Sequence, residues 1–270
     1  MSGMSGSEQR GSGVGRSSNL VGRPSHWLAS AAFNDAPEPL QIWGVVETNR
    51  SLFAMLERAG DLAEAGEAFS RYMLAAFGEP EPRDKGGFRL SFRRLIAGWS
   101  FDSNGPEGAV LKGWVESRFG LTPSFHKQVI AEASSGAFAA YVRETMSSRF
   151  HDNAIWPQLD LVFEFCQWAV ARFAFPGKTH LMLYRGINGF DEHRIVERMG
   201  KREAVIALNN LVSFTSDRDV AGCFGDMILT ARVPLCKLVY FNGLLCAPQL
   251  KGEGEHLAIG GDFRVRVDYV

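Results

Sequence analysis

The chain carries almost no surplus of charge: 29 Lys and Arg face 30 Asp and Glu, a formal net charge of −1 at pH 7. That balance removes the electrostatic footprint by which proteins hold nucleic acid or anionic membrane. Uninterrupted apolar runs are also lacking. The most apolar stretch, 159–175, is broken by Asp160, Glu164 and Arg172, so it reads as a core helix and not as a membrane span. Cysteine is scarce, and Cys166, Cys223, Cys236 and Cys246 show no CxxC or Cys/His spacing that would suggest zinc. Each has apolar neighbours, which predicts buried free thiols in a reducing compartment. The six histidines are scattered, with no pair at ligand spacing, so no metal is expected. His180 and His256 fall in strands and are given no catalytic role. What is present is a 270-residue chain, 46% hydrophobic, able to bury a sizeable core.

The first 25 residues stand apart. Thirteen are Gly or Ser, a composition that buries too little surface to offset its ordering entropy, so residues 1–25 read as a disordered, cytoplasmic tail. From about 50 to 175 the period is helical: Leu52, Met55 and Leu56, then 62–77, then a helix opened by Pro106-Glu107 and stopped by Gly120. A fourth helix carries Phe138, Tyr141 and Val142, and Pro157 introduces the apolar helix to Phe175. Its aromatics (Trp156, Phe163, Phe165, Trp168, Phe173, Phe175) read as core packing. After Pro176-Gly177 the texture turns to strands, at 180–185, 212–216, 227–233, 237–241, 256–259 and 263–270. Asn188-Gly189, Asn242-Gly243 and Gly260-Gly261 supply turns, the last joining two strands as a hairpin. Short helices are expected from about Asp191 and Asp217, with Asp217 as a cap. The fold class is α+β.

Two nucleotide-binding motifs fail. Gly177-Lys178-Thr179 ends like a P-loop, but Arg172 stands where the first glycine is required. Gly252-x-Gly254 is followed three places on by Leu257, which breaks a dinucleotide fingerprint. Glu253 and Glu255 survive better. In a strand, residues i and i+2 share a face about 6.5–7 Å apart, and two carboxylates there repel unless something uses them. A charged, solvated loop is the plain alternative. Against it stands the apolar sequel from His256 to Ile259, placed just after the acids.

Three pieces stand in one order: Tyr184-Arg185-Gly186, Ser213-Phe214-Thr215-Ser216 and Glu253-Gly254-Glu255. Together they resemble the R-S-E signature of ADP-ribosyltransferases. A longer set, Ser18-Asn19-Leu20-Val21-Gly22, Phe33-Asn34 and the run from Gly98 to Ala109, is similar to the NAD⁺–dinitrogenase-reductase ADP-ribosyltransferases of nitrogen-fixing bacteria. By itself that run reads only as a polar turn opening a helix at Pro106. The resemblance implies a helical N-terminal half (26–176) packed on a mixed β-sandwich catalytic core of ADP-ribosyltransferase type (177–270). It implies NAD as co-substrate, the nitrogenase iron protein (dinitrogenase reductase) as substrate through one arginine, and a P-II-type nitrogen-signalling protein as activator.

The same resemblance distributes roles. Losing nicotinamide leaves a ribosyl oxocarbenium ion, and Glu255 is implied as the carboxylate beside it, bonded to the ribose 2′-hydroxyl. A guanidinium is a poor nucleophile because it stays protonated, and Glu253 is implied as the group that holds it and takes its proton. Arg185, with Gly186, is implied at the pyrophosphate, where a forked donor suits. Ser213, Thr215 and Ser216 are implied at the nicotinamide pocket. The register there stays open, since Phe214 replaces either the first serine or the middle residue of the usual Ser-Thr-Ser. An NAD glycohydrolase, or a module that binds NAD without turnover, are the alternative readings.

Overall fold

The computed structural model describes residues 19–78, 91–146, 154–190, 193–245 and 254–269. Helices come first. α1 (Ser25–Ala29) and α2 (Ala31–Asp35) meet at Ser30, whose hydroxyl accepts from the Phe33 N–H. α3 (Val45–Thr48) and α4 (Arg50–Leu56) lead to α5 (Leu62–Phe77), capped by Asp61. α6 (Phe92–Phe101) is capped by Ser91 and buries Phe92, Leu95, Ile96 and Trp99, the spacing of one helical face. α7 (Pro106–Phe119) opens on proline and ends at Gly120, whose φ of 70° is the left-handed stop that glycine adopts freely. A small hairpin of β1 (Phe125–His126) and β2 (Gln128–Val129) precedes α8 (Gly136–Thr145) and α9 (Ile155–Ala169). A π-helical turn, Val170–Ala174, extends α9.

Then come β3 (His180–Ile187), β4 (Arg194–Arg198), β5 (Glu203–Thr215), α10 (Arg218–Gly222), β6 (Met227–Pro234), β7 (Leu238–Phe241) and β8 (Glu255–Tyr269). The sheet runs β4-β5-β3-β6-β8-β7, and β5 also pairs with β8, so the path β5–β3–β6–β8 returns to β5. Every pairing among the described residues is antiparallel, which corrects the mixed sheet expected from sequence. The physical reason is order along the chain: the long helices precede the strands, and α10, with five residues, is too short for a crossover between parallel neighbours.

Other expectations need correction. Gly260-Gly261 is no hairpin, because β8 runs straight through it. Opposite this pair β5 gains a residue between Leu208 and Leu211, a bulge. A Cβ on Gly260 would lie 1.6 Å from the Asn209 carbonyl oxygen, and one on Gly261 2.5 Å from that of Ala29. The glycines thus serve close backbone approach and not reversal. The helix expected from Asp191 is replaced by β4 at Arg194–Arg198, whose edge-strand pairing with β5 outweighs local propensity; Asp191 itself lies outside the described residues. Of the tail, residues 1–18 lie outside the described residues. Within residues 19–25, the Leu20 N–H donates to Arg118 O and the Leu20 carbonyl accepts the Trp43 N–H, while Val21 and Ser25 are buried. Cys223 is exposed, since it caps a short surface helix, whereas Cys166 is buried and Cys236 half-buried. Burial pushes the Cys236 thiol up to about 12. Cys246 lies outside the described residues.

One continuous cluster of buried side chains joins the helices to the sheet, from Val21 to Val267. The apolar aromatics of α9 pack as the sequence predicts: Phe165 stacks on Phe69 at 4.3 Å, and Phe163 meets Phe119 edge-on at 5.3 Å. Asp160 on α9 takes both ends of the Arg118 fork at 2.8 Å and the Trp114 indole N–H at 2.7 Å. No helix among the described residues is long and apolar enough to cross a membrane.

Candidate functional site

Three strands bring the predicted pieces together. Tyr184 of β3 pairs with Thr215 at the end of β5, and Thr215 pairs with Glu255 at the start of β8. Antiparallel register thus draws residues from three distant segments into one row. The row forms the floor of a cleft of about 660 Å³, a size suited to a small-molecule ligand.

Glu255 is clamped in that floor. Ser213 lies two residues before Thr215, on the same face and diagonal to Glu255, and its hydroxyl donates to Glu255 Oε1 at 2.7 Å. The Ser213 oxygen in turn accepts the Trp99 indole N–H at 2.7 Å. Ser100 donates from the other side to Glu255 Oε2. Both Trp99 and Ser100 belong to the last turn of α6, so the helical half closes over a carboxylate of the sheet. The Trp99 ring, 3% exposed, faces the buried ammonium of Lys112 at 5.7 Å. Lys112 is held by Asn104 Oδ1 at 3.1 Å and by Phe125 O at 3.0 Å.

Arg185 and Gly186 line the same cleft. The Arg185 guanidinium donates to the Ser213 carbonyl at 3.0 Å, which ties β3 to β5 beside Glu255. Gly186 has no room for a side chain: a Cβ would lie 2.0 Å from the Ala221 carbonyl oxygen of α10. Thr215 also lines the cleft, and its hydroxyl oxygen accepts the Asp217 N–H at 3.1 Å, a local turn bond. Asp217 caps α10 as expected, accepting from the N–H groups of Asp219 and Val220. Phe214 points away into the core against Phe263. Ser216 is exposed, and its N–H donates to Gly254 O at 3.3 Å; it does not line the cleft. Glu253 lies outside the described residues.

The two strand histidines support backbone. His256 Nδ1 bonds Gly254 O at 2.8 Å, next to Glu255, and burial pushes its pKa down. His180 Nε2 bonds Asn34 O at 2.7 Å. Among the described residues no three His, Cys, Asp or Glu side chains gather as a metal site. Sequence reasoning missed Trp99 and Ser100. Their only signal was the run from Gly98 to Ala109, to which helical spacing and composition assign nothing.

The family model described as dinitrogenase reductase ADP-ribosyltransferase matches residues 18–267. A relative from Rhodospirillum rubrum, NAD(+)–dinitrogen-reductase ADP-D-ribosyltransferase, is 56% identical over 267 residues, covering 96% of this chain and 97% of its own. No solved structure matches the chain significantly. The chain therefore belongs to the dinitrogenase reductase ADP-ribosyltransferase family.

Proposed function

We propose that this protein transfers ADP-ribose from NAD to an arginine of dinitrogenase reductase, the nitrogenase iron protein, and so switches nitrogen fixation off. The observation that carries the reading is Glu255, held at both carboxylate oxygens on the floor of the cleft, with the Arg185 guanidinium beside it. The name of the Rhodospirillum rubrum relative supplies the same co-substrate and target.

The steps follow from charge. Arg185 and the backbone at Gly186 hold the pyrophosphate of NAD, an anion that a fork of N–H donors fits. As the bond from ribose C1′ to nicotinamide nitrogen breaks, the pair of electrons leaves with nicotinamide and positive charge grows on the ribose. Glu255 lies where that charge develops and accepts the 2′-hydroxyl hydrogen bond. An arginine guanidinium of the acceptor then bonds to C1′ through one nitrogen, whose proton passes to Glu253. In this reading 177–270 is the ADP-ribosyltransferase-type core, with Ser213 as the first hydroxyl of the Ser/Thr motif. Residues 26–176 wall the cleft and meet the acceptor and a P-II-type activator, in the cytoplasm. Phe101 (94% exposed) and Phe224 (64%) border the cleft and give the acceptor an apolar rim. A doubly charged adduct on the iron protein blocks its docking, because unpaired charge is costly to desolvate.

The test uses labelled NAD and iron protein, with P-II protein added, on the wild type and on Glu255→Gln and Glu253→Gln. Label on an iron-protein arginine, reduced about 10²–10³-fold in Glu255→Gln, is the expected result. Free ADP-ribose without labelled protein would make the enzyme a hydrolase, and no NAD turnover would make it a binding module.

A further inference from the structure

The two hydroxyls on Glu255 differ in origin. Ser213 comes from the sheet, in the family motif; Ser100 comes from the last turn of α6, which the strand core does not contain. The Ser213 hydroxyl has one proton and its oxygen already accepts the Trp99 N–H, so the indole turns that proton toward Glu255 Oε1. Ser100 has one proton and two acceptors in reach, Ile96 O of its own helix at 3.1 Å and Glu255 Oε2. Each carboxylate oxygen accepts about two hydrogen bonds, so each keeps a site for substrate after its serine is bound.

We infer that Ser100 is a positioning residue for Glu255, and that the end of α6, through Ser100 directly and Trp99 by way of Ser213, sets the angle of that carboxylate toward the ribose. The inference rests on the reading of Glu255 as the carboxylate that stabilises the ribosyl cation. Its physical basis is preorganisation. A glutamate side chain free at three torsions spends rotamer entropy on each approach to the reacting geometry, and two donors on opposite oxygens remove that freedom beforehand. A sheet residue alone cannot supply both, since Ser213 reaches only Oε1. The consequence is that catalysis requires α6 seated on the sheet, although α6 contributes no group to the chemistry.

The experiment is a double-mutant cycle read with two measurements: the rate of iron-protein labelling and NAD affinity by calorimetry. Ser100→Ala is expected to lower kcat by about tenfold, the loss of one hydrogen bond to a charged group, with NAD affinity within twofold of wild type. Ser100→Thr, which keeps the hydroxyl, should recover most of the rate. Trp99→Phe, which keeps the ring over Lys112 and removes only the indole N–H, should also lower kcat without weakening NAD. In a Glu255→Gln background, Ser100→Ala should cost nothing further, because the group it positions is gone. An equal loss in that background, a weakened NAD affinity at unchanged kcat, or an unchanged kcat in Ser100→Ala would each overturn the inference. Wild-type labelling by Glu255→Gln alone would instead overturn the role of Glu255 itself.

Discussion

At the scale of single residues, space as well as chemistry shapes the cleft. Gly186 follows Arg185, which lines the cleft, and its lack of a side chain lets α10 sit against β3. Adding one methyl group places carbon 2.0 Å from the Ala221 carbonyl oxygen, which backbone cannot absorb without moving. Gly186→Ala is therefore expected to destabilise the protein by about 1–3 kcal/mol, the usual cost of overpacking, and to weaken NAD binding by displacing the wall that carries Ala221 and Phe224. Urea unfolding and calorimetry measure the two effects; unchanged values in both would show that α10 yields freely. The family resemblance singled out Arg185 and Glu255 from residue type and order, and the fold brings both to one cleft. Gly186 was legible only as a neighbour of Arg185, because its reason for being glycine is a helix some 35 positions away in the chain.

At the scale of elements, the same cleft depends on a helix too short to be stable by itself. α10 has five residues, well below the length at which an isolated helix holds in water. Its cap, Asp217, accepts from the N–H groups of Asp219 and Val220, and Thr215 fixes the turn before it. Asp217→Ala should cost about 1 kcal/mol, or about 2–4 °C of melting temperature for a chain near this size. NAD affinity should fall with it, since Val220 and Ala221 line the cleft. A melting temperature unchanged to within a degree would show that tertiary packing alone holds α10. This element was legible, because Asp before a polar turn is a local signal. β4 and the long β5 were not, since their identity comes from partners across the sheet. α6 carries an apolar face at helical spacing, yet its last turn merges into the Gly98–Ala109 run, whose glycines and polar residues look like a loop.

At the scale of the whole molecule, burial shifts two of the buried ionisable side chains, Lys237 and Glu164, toward neutral pH. Lys237 is fully buried, donates to Gly260 O at 3.0 Å, and stands 5.3 and 5.4 Å from the Phe33 and Phe263 rings. Burial lowers its pKa from 10.5 to about 7. Between those values the unfolded chain holds a proton that the folded chain has released, so stability rises with pH across that window, by at most about 1.4 kcal/mol per pH unit. Glu164 on α9 is the opposite case: burial raises it from 4.5 to about 7, against the lowering effect of the Ile42 N–H that it accepts at 2.6 Å. Between 4.5 and 7 the folded chain keeps a proton that the unfolded chain has lost, so stability falls as pH rises. Together they make the cost of these two burials greatest near pH 7. Chemical denaturation at pH 5, 7 and 9 should show Lys237→Met flattening the upper limb and Glu164→Gln the lower. Limbs unchanged by the substitutions would assign the pH dependence to other groups.

Features that depend on near neighbours were readable from residue order alone. Proline and glycine set the ends of α7, apolar spacing placed α5 and α9, Asp217 announced α10, and the order of Arg185, Ser213 and Glu255 pointed to a chemistry. How those residues are held emerges from the folded chain. Ser100 and Glu255 are 155 positions apart and Trp99 and Ser213 are 114 apart, and no local preference speaks for a contact at such separation. The same holds for Gly260 and Gly261, where two glycines in a row favour a turn until a bulge of β5 and the end of α1 come close enough to exclude any side chain. Local sequence selects backbone conformations of a few residues, whereas a hydrogen bond across the core exists only once the whole chain has closed around it.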